Sequence, residues 1–227
     1  MRAPGVHTLF ENVVLHVVQA DSPGPTALIQ AGIHGDEIAG VHAIEELIEA
    51  GYRPHRGRLL LVPVMNPPAY RARTRAAPQG QDLNRSFPGN ASSSVREERL
   101  AAAFMDLVHT EAPALVATLH ESKSRHDPAV HPSFGQTLVY GVEPCPPWVS
   151  AAVDRLNQYD DVGTERWATF HYPVATSSTE VIVDRFGCVG TCVETWMGLP
   201  EARRVVWQRR VVDALLVMAG LRDEETS

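Results

Sequence analysis

The residues that invite a chemical reading first are a histidine and a glutamate three positions apart in Ala31-Gly32-Ile33-His34-Gly35-Asp36-Glu37, after an apolar run and before a helix-like one. Zinc accepts an imidazole nitrogen or a carboxylate oxygen at about 2.0–2.2 Å, and catalytic zinc sites usually combine three protein ligands with one open position. His34 and Glu37 supply two such ligands, although a pair of this kind taken alone also reads as helix-capping and surface polarity. A third donor is suggested where the apolar run Leu115-Val116-Ala117-Thr118-Leu119 ends in His120. In an open α/β sheet the carboxyl ends of parallel strands line the ligand crevice, so His34 and His120 can converge there. The chain has 10 histidines, and His126 and His131 in the following loop are rivals for the same role.

Two further segments carry polar groups suited to a substrate. Gln81-Asp82-Leu83-Asn84-Arg85 follows an arginine-rich stretch with Arg71, Arg73 and Arg75. A guanidinium offers a planar fork of donors that matches a carboxylate, and a neighbouring amide adds another donor, so Asn84 and Arg85 are candidates to grip a substrate carboxylate. Arg71, Arg73 and Arg75, taken singly, read as a solvated loop. The β-like run from Gly187 to Trp196 delivers Glu194 at its end, a candidate general base, with Glu121 beside His120 as its rival.

These side chains need a frame. Short β-branched runs at Val13–Val18, Ala27–Ala31, Arg58–Val64, Leu115–Leu119, Thr137–Tyr140 and Cys188–Val193 predict strands of one central sheet. Ile38, Val41, Ile44 and Ile48 recur at helical spacing and Gly51 follows as a stop signal, predicting a helix over the sheet. Further helices are expected at Val95–His109, Trp148–Tyr159 and Glu201–Leu221, and loops at Asn66–Ser94 and Glu121–Gln136. Alternating strands and helices predict an α/β three-layer sandwich with a central mixed, mostly parallel sheet flanked by helices.

Composition narrows the function. The 227 residues, 44% of them hydrophobic, suffice for one packed core, and the expectation is a single catalytic domain over 1–227. With 20 Lys and Arg against 27 Asp and Glu, the net charge of −7 offers no basic surface for nucleic acid. No apolar run approaches the roughly 20 residues that span a bilayer, so a cytoplasmic protein without membrane partners is expected. Three cysteines do not suggest a disulfide framework. If Cys188 and Cys192 share a strand they lie about 13 Å apart and cannot bond to each other.

Taken together, His34-Gly35-Asp36-Glu37, Asn66-Pro67 through Thr74-Arg75, Asp82-Leu83-Asn84-Arg85, Leu119-His120-Glu121 and Val193-Glu194-Thr195 resemble, in order, the signatures of the zinc carboxypeptidase superfamily. The resemblance is greatest to its succinylglutamate desuccinylase/aspartoacylase branch. It implies one Zn2+ per chain on His34, Glu37 and His120, a carboxylate grip by Asn84 and Arg85, Glu194 as base and proton shuttle, and Arg75 polarising the scissile carbonyl. The implied reaction is hydrolysis of an amide next to a carboxylate-bearing residue, in a small N-acyl amino acid or a short peptide. A metallocarboxypeptidase or cell-wall peptide amidase would use the same residues. A metal-binding scaffold without catalysis would have no chemical need for Glu194 and Arg75. Only some 30 residues follow Glu194, so the β-rich C-terminal domain typical of the branch is not expected, and a more open site with it. Tyr159 and Tyr172 are the candidates for the substrate-contacting tyrosine of the digestive-type enzymes.

Overall fold

A computed structural model describes residues 1–224 of the chain. Eight strands form one sheet: β1 (Gly5–Phe10), β2 (Val13–Gln19), β3 (Thr26–Ala31), β4 (Arg58–Val62), β5 (Leu115–Ser122), β6 (Thr137–Tyr140), β7 (Ala168–His171) and β8 (Val189–Trp196). Their spatial order is β1-β2-β4-β3-β5-β8-β6-β7. The inner run β4-β3-β5-β8 is parallel and β6 pairs β7 in parallel, whereas β1-β2, β2-β4 and β6-β8 are antiparallel. The sheet is therefore mixed and mostly parallel, as expected.

Every residue of β3, β4 and β5 is buried, as strands covered on both faces must be. Helices α1 (Ala39–Glu49), α4 (Pro147–Leu156) and α6 (Glu201–Met218) cover one face, packing on Ala27, Ile29, Leu115, Ala117 and Leu119. Helices α3 (Arg96–Glu111) and α5 (Ser178–Phe186) cover the other, on Leu28, Leu60, Val62 and Val116. Alternation along each strand thus sends odd-numbered side chains of β5 toward α1 and α6 and even-numbered ones toward α5. The α1 stop behaves as expected. Gly51 takes φ +63, its N–H donates to the Ile48 carbonyl, and Tyr52 N–H donates to that of Leu47. That pairing is the double closure of a left-handed helix end. Among the described residues no helix is long and apolar enough to cross a membrane.

Four strands and helices lie outside the expected set, and each has a physical reason. Strands β1 and β7 are the two edges of the sheet, largely unburied, so their side chains lack the apolar signature of the inner strands. Helix α5 opens with Ser and Thr, and it begins because Ser177 caps it, its hydroxyl accepting from Glu180 N–H. The expected loop at Asn66–Ser94 contains a short helix, α2 (Pro67–Ala72), whose prolines occupy the first turn, where no N–H is needed, and a 3₁₀ turn at Leu83–Arg85. The expected loop at Glu121–Gln136 starts later, because β5 runs on through Ser122 beside β8. Cys188 lies just ahead of β8, and Cys145, Cys188 and Cys192 are all free.

Helix α1 sits unusually close to β5. A Cβ on Gly40 would lie 2.6 Å from Leu119 Cβ and 3.3 Å from Ala31 Cβ, so only glycine permits this approach. Gly40→Val should push α1 off β5, lowering stability by about 1–3 kcal/mol through overpacking and loosening Glu37 from His120. Thermal melts with metal analysis check this. A variant with unchanged Tm and full metal content would show the contact to be unimportant.

Candidate active site

The chain arrives at the site from the end of β3. After Ala31 it turns through Gly32, at φ +61, and Gly35 lies so tightly on the Ala69 backbone that any side chain there would collide with it. Gly35 N–H also donates to the Thr74 carbonyl at 2.9 Å. This anchored turn presents His34 and Glu37 inward, both nearly buried. Glu37 is shared between two imidazoles: its Oε1 lies 2.7 Å from His34 Nδ1 and its Oε2 lies 2.7 Å from His120 Nδ1. Backbone N–H of Glu121 donates to the same Oε2 at 3.2 Å.

His34, Glu37 and His120 offer three donor atoms within 4.8 Å of one another, all from buried residues. On the far side of its ring, His34 Nε2 lies 3.2 Å from Asp82 Oδ1. A second carboxylate behind a ligating imidazole fixes the ring and leaves the other nitrogen for a metal. His120 Nε2 is buried with no partner, so the ring's directed contact is the one its Nδ1 makes toward Glu37. Two imidazoles and a carboxylate converging from buried positions at the cavity wall fit a metal ion with one open position.

The electrostatics follow from this packing. Burial works to raise the Glu37 carboxyl, but the His120 and His34 rings outweigh it and hold it well below the usual range. Burial likewise opposes charge on His34, yet Glu37 and Asp82 lift it to about 9. His120 is lowered chiefly by burial. Glu194 is pushed well above the ordinary carboxylate value by burial and then by the negative charge of Glu37.

Strand parity separates the two rival glutamates. Glu194 on β8 stands opposite His120 on β5 in a parallel pairing, so both side chains rise from the same face of the sheet. Among the described residues the one hydrogen-bonding neighbour of its carboxylate is Cys192 Sγ at 3.7 Å, and otherwise it opens into the cavity. Glu121, one residue past His120, points to the other face. There its Oε2 accepts from Ala39 N–H at the start of α1 at 2.9 Å, and its Oε1 pairs with Arg204 of α6 and lies 3.4 Å from Thr195 Oγ1. Glu121 is committed to holding α1, β8 and α6 together.

The remaining expected residues gather around the same cavity of about 540 Å3, which His34, Glu37, Arg75, Asn84, Arg85 and Glu194 all line. Arg75 bonds Asp82 through Nε at 3.0 Å and Nη2 at 2.9 Å, and its Nη1 lies 3.8 Å from Glu37. Asn84 is buried, with its Oδ1 accepting from Ser178 N–H at the start of α5 at 3.0 Å, and Arg85 donates to the Asn84 carbonyl at 2.9 Å. Arg71 and Arg73 stay at the surface, Arg73 over the Tyr70 ring. His126 turns away to the Ser133 carbonyl and His131 packs on Phe170 and Tyr172, so neither joins the donor set. Tyr172 lines the cavity, while Tyr159 packs on Trp207 in the other core.

Sequence reasoning passed over Asp82. Its position two residues before Asn84 was a usable signal, since a short acidic side chain there accepts from Asn84 N–H and caps the 3₁₀ turn that presents Asn84 and Arg85.

Residues 23–126 match the model of the succinylglutamate desuccinylase/aspartoacylase catalytic domain family. N-alpha-acetyl-L-2,4-diaminobutyric acid deacetylase of Halomonas elongata is 46% identical over 78 residues, 33% of this chain and 22% of that protein. Among solved structures, the product-bound cell shape determinant protein Csd4 of Helicobacter pylori superposes with a TM-score of 0.80 at 18% identity, covering 94% of this chain and 57% of that one. At that identity the likeness is one of fold. The product-bound ectoine utilization protein EutE (DoeB) of Ruegeria pomeroyi gives 0.71 at 25% identity, covering 95% and 63%. The chain therefore spans less than two thirds of each of these relatives. The resemblance to the desuccinylase/aspartoacylase branch and the zinc carboxypeptidase-like fold are borne out.

His120→Ala should abolish stoichiometric metal binding after reconstitution, while His126→Ala should leave it intact. Elemental analysis of the two variants decides, and the reverse pattern would move the third ligand to His126.

Proposed function

We propose that this chain is a zinc-dependent amide hydrolase that removes the acyl group from a small N-acyl amino acid, with His34, Glu37 and His120 holding one Zn2+. The observation that carries the reading is a carboxylate left uncommitted, Glu194, beside a buried His-Glu-His donor set and across one cavity from Arg85. When bound, the ion supplies Lewis-acid activation of water near neutral pH.

The chain's own groups do the rest. Arg85, with Asn84, binds the carboxylate of the amino acid, which fixes the scissile amide in the cavity. The Asn84 side chain is held for this by its bond to Ser178, and Arg85 by its bond to the Asn84 carbonyl. Arg75, oriented by two bonds to Asp82, donates to the oxygen of the scissile carbonyl as negative charge develops there. Glu194 takes the proton of the attacking water on a carboxylate oxygen. The water oxygen joins the acyl carbon, the C–N bond breaks, and Glu194 returns the proton to the departing nitrogen. No residue forms a covalent bond to the substrate. The same residues would serve a carboxypeptidase or a cell-wall peptide amidase, in which the carboxylate is a peptide's C-terminus.

Glu194→Gln should retain metal yet lose about 10²-fold or more in kcat, whereas Glu121→Gln should chiefly lower Tm. If Glu121→Gln is inactive and folded while Glu194→Gln turns over normally, the base has been misassigned. A panel of N-acetyl and N-succinyl amino acids, their C-terminal amides and short peptides tests the substrate. Acids should exceed amides by about tenfold to a hundredfold in kcat/KM, the worth of a charge-assisted contact, and Arg85→Ala should erase that margin by raising KM. Equal rates on acids and amides would remove the carboxylate grip, and activity confined to peptides would make the protein a carboxypeptidase.

A further inference from the structure

The cavity does not end at Glu194. On β8 Gly190, Cys192 and Glu194 lie at positions that share one face, and all three line the cavity, which continues from the base back toward the start of the strand. Val139 of β6 stands opposite Cys192, and Gly141 follows two residues later, near Gly190. Helix α5 roofs this far end with Thr179, Glu180 and Val183. Both glycines are there to make room. A Cβ on Gly190 would collide with the Val183 side chain, and one on Gly141 would occupy the space taken by the Glu180 carboxylate.

That carboxylate lines the cavity without an ion-pair partner among the described residues. Among the described residues no Lys, Arg or His nitrogen lies within 4.0 Å of it, although 18 such pairs occur elsewhere in the molecule, so cations are not scarce. Its protein donor is the Val174 backbone N–H, and the charges that act on it are Asp184, of the same sign, and His171, which also lies 3.4 Å from Glu143. The guanidiniums of the cavity are engaged at the opposite end, Arg75 with Asp82 and Arg85 with the Asn84 carbonyl. The cavity lining also includes Val139, Tyr172, Val174 and Val183, together with the polar Ser177 and Thr179. Burial there, and then the charge of Asp184, push the Glu180 carboxyl up from its ordinary value. A half-buried carboxylate among apolar walls is costly until a cation meets it.

We infer that Glu180 makes the far end of the cavity a subsite for a cationic side chain, so that the amino acid released by the enzyme is a basic one, of the ornithine or lysine kind. The inference rests on the hydrolase reading above, in which Asn84 and Arg85 hold the α-carboxylate. The far end lies toward Gly190, on the Glu194 strand, with the Glu180 carboxylate packed over Gly141 there. An aliphatic stem runs toward it, its methylenes along Val139 and Val183 and its ammonium at the Glu180 carboxylate beside Tyr172, where cation–π attraction adds to the ion pair. A neutral or acidic side chain would leave the Glu180 charge unanswered or oppose it.

The test compares basic amino acids with neutral isosteres on the metal-loaded protein. Substrates are Nα-acetylornithine against Nα-acetylnorleucine, and Nα-acetyllysine against Nα-acetyl-2-aminoheptanoate. The free amino acids are titrated in parallel by calorimetry, so that binding is read without turnover. In at least one pair the cation should be favoured by about tenfold or more, in kcat/KM and in affinity alike, and Glu180→Gln should bring the ratio near one. A ratio near one in the native protein, or a preference that Glu180→Gln leaves intact, overturns the subsite. Glu180-dependent binding of the cation without turnover of any acyl substrate keeps the subsite and removes the hydrolase reading. Turnover without charge preference removes only the subsite, and absence of both turnover and binding preference removes both.

Discussion

The arrangement at the centre of the molecule depends on one buried carboxylate shared by two rings. Glu37 places one oxygen 2.7 Å from His34 and the other 2.7 Å from His120, with nearly all of its surface withdrawn from water. An unpaired carboxylate in that position would cost several kcal/mol, so the three side chains have to arrive together. They come from three places: the turn after β3, the entry to α1 and the end of β5. Their meeting requires the parallel β3-β5 pairing, the closeness of α1 to β5 that Gly40 allows, and the seating of Gly35 on the Ala69 backbone. Glycines at these contacts are geometric necessities of the donor set.

A second constraint decides which carboxylate stays free for chemistry. Glu121 and Glu194 lie in neighbouring strands, one residue out of register, and differ mainly in the face on which they emerge. On the α1/α6 side, Glu121 finds a helix N-terminal N–H and a guanidinium, and these partners spend its acceptor capacity on architecture. On the α5 side, Glu194 finds Cys192 and open cavity. Gln208 of α6 reinforces the division, since its amide donates to the His120 carbonyl at 2.8 Å and to Thr195 Oγ1 at 2.9 Å, locking β5 to β8 at the level of the site.

Much of this could be read from the sequence because burial on both faces writes itself into composition. The inner strands β3, β4 and β5, the stripe of α1 and its Gly51 stop were all legible, and so were His34, Glu37 and His120 as strand-end and turn donors. Strands β1 and β7 were not, because edge strands carry no two-sided apolar pattern. Helix α5 was hidden by its Ser and Thr content, which favours turns unless a cap such as Ser177 commits it. The choice between Glu121 and Glu194 was in principle accessible by strand parity. Using it required knowing that β5 continues past His120, where the sequence turns polar although the backbone stays paired with β8 through Ser122.

These differences in legibility follow a division in the cavity itself. The donor set and the carboxylate grip, from His34 to His120, lie within the stretch 23–126 that carries the family signature, whereas Glu194, Gly141, Glu180 and Gly190 all lie beyond it. On the proposed reading, the first half holds the groups that any substrate of this chemistry must meet: the His-Glu-His donor set for a metal ion and the arginines for a carbonyl and an α-carboxylate. The second half is built by β6, α5 and β8, where the proposed reaction would place the side chain of the leaving amino acid. Shared chemistry therefore constrains the first half without fixing the second, and a change of side-chain preference needs no change among the groups that act on the amide. On that reading the preference for a leaving residue is set by the local charge balance beneath α5, where among the described residues Glu180 pairs with no cation.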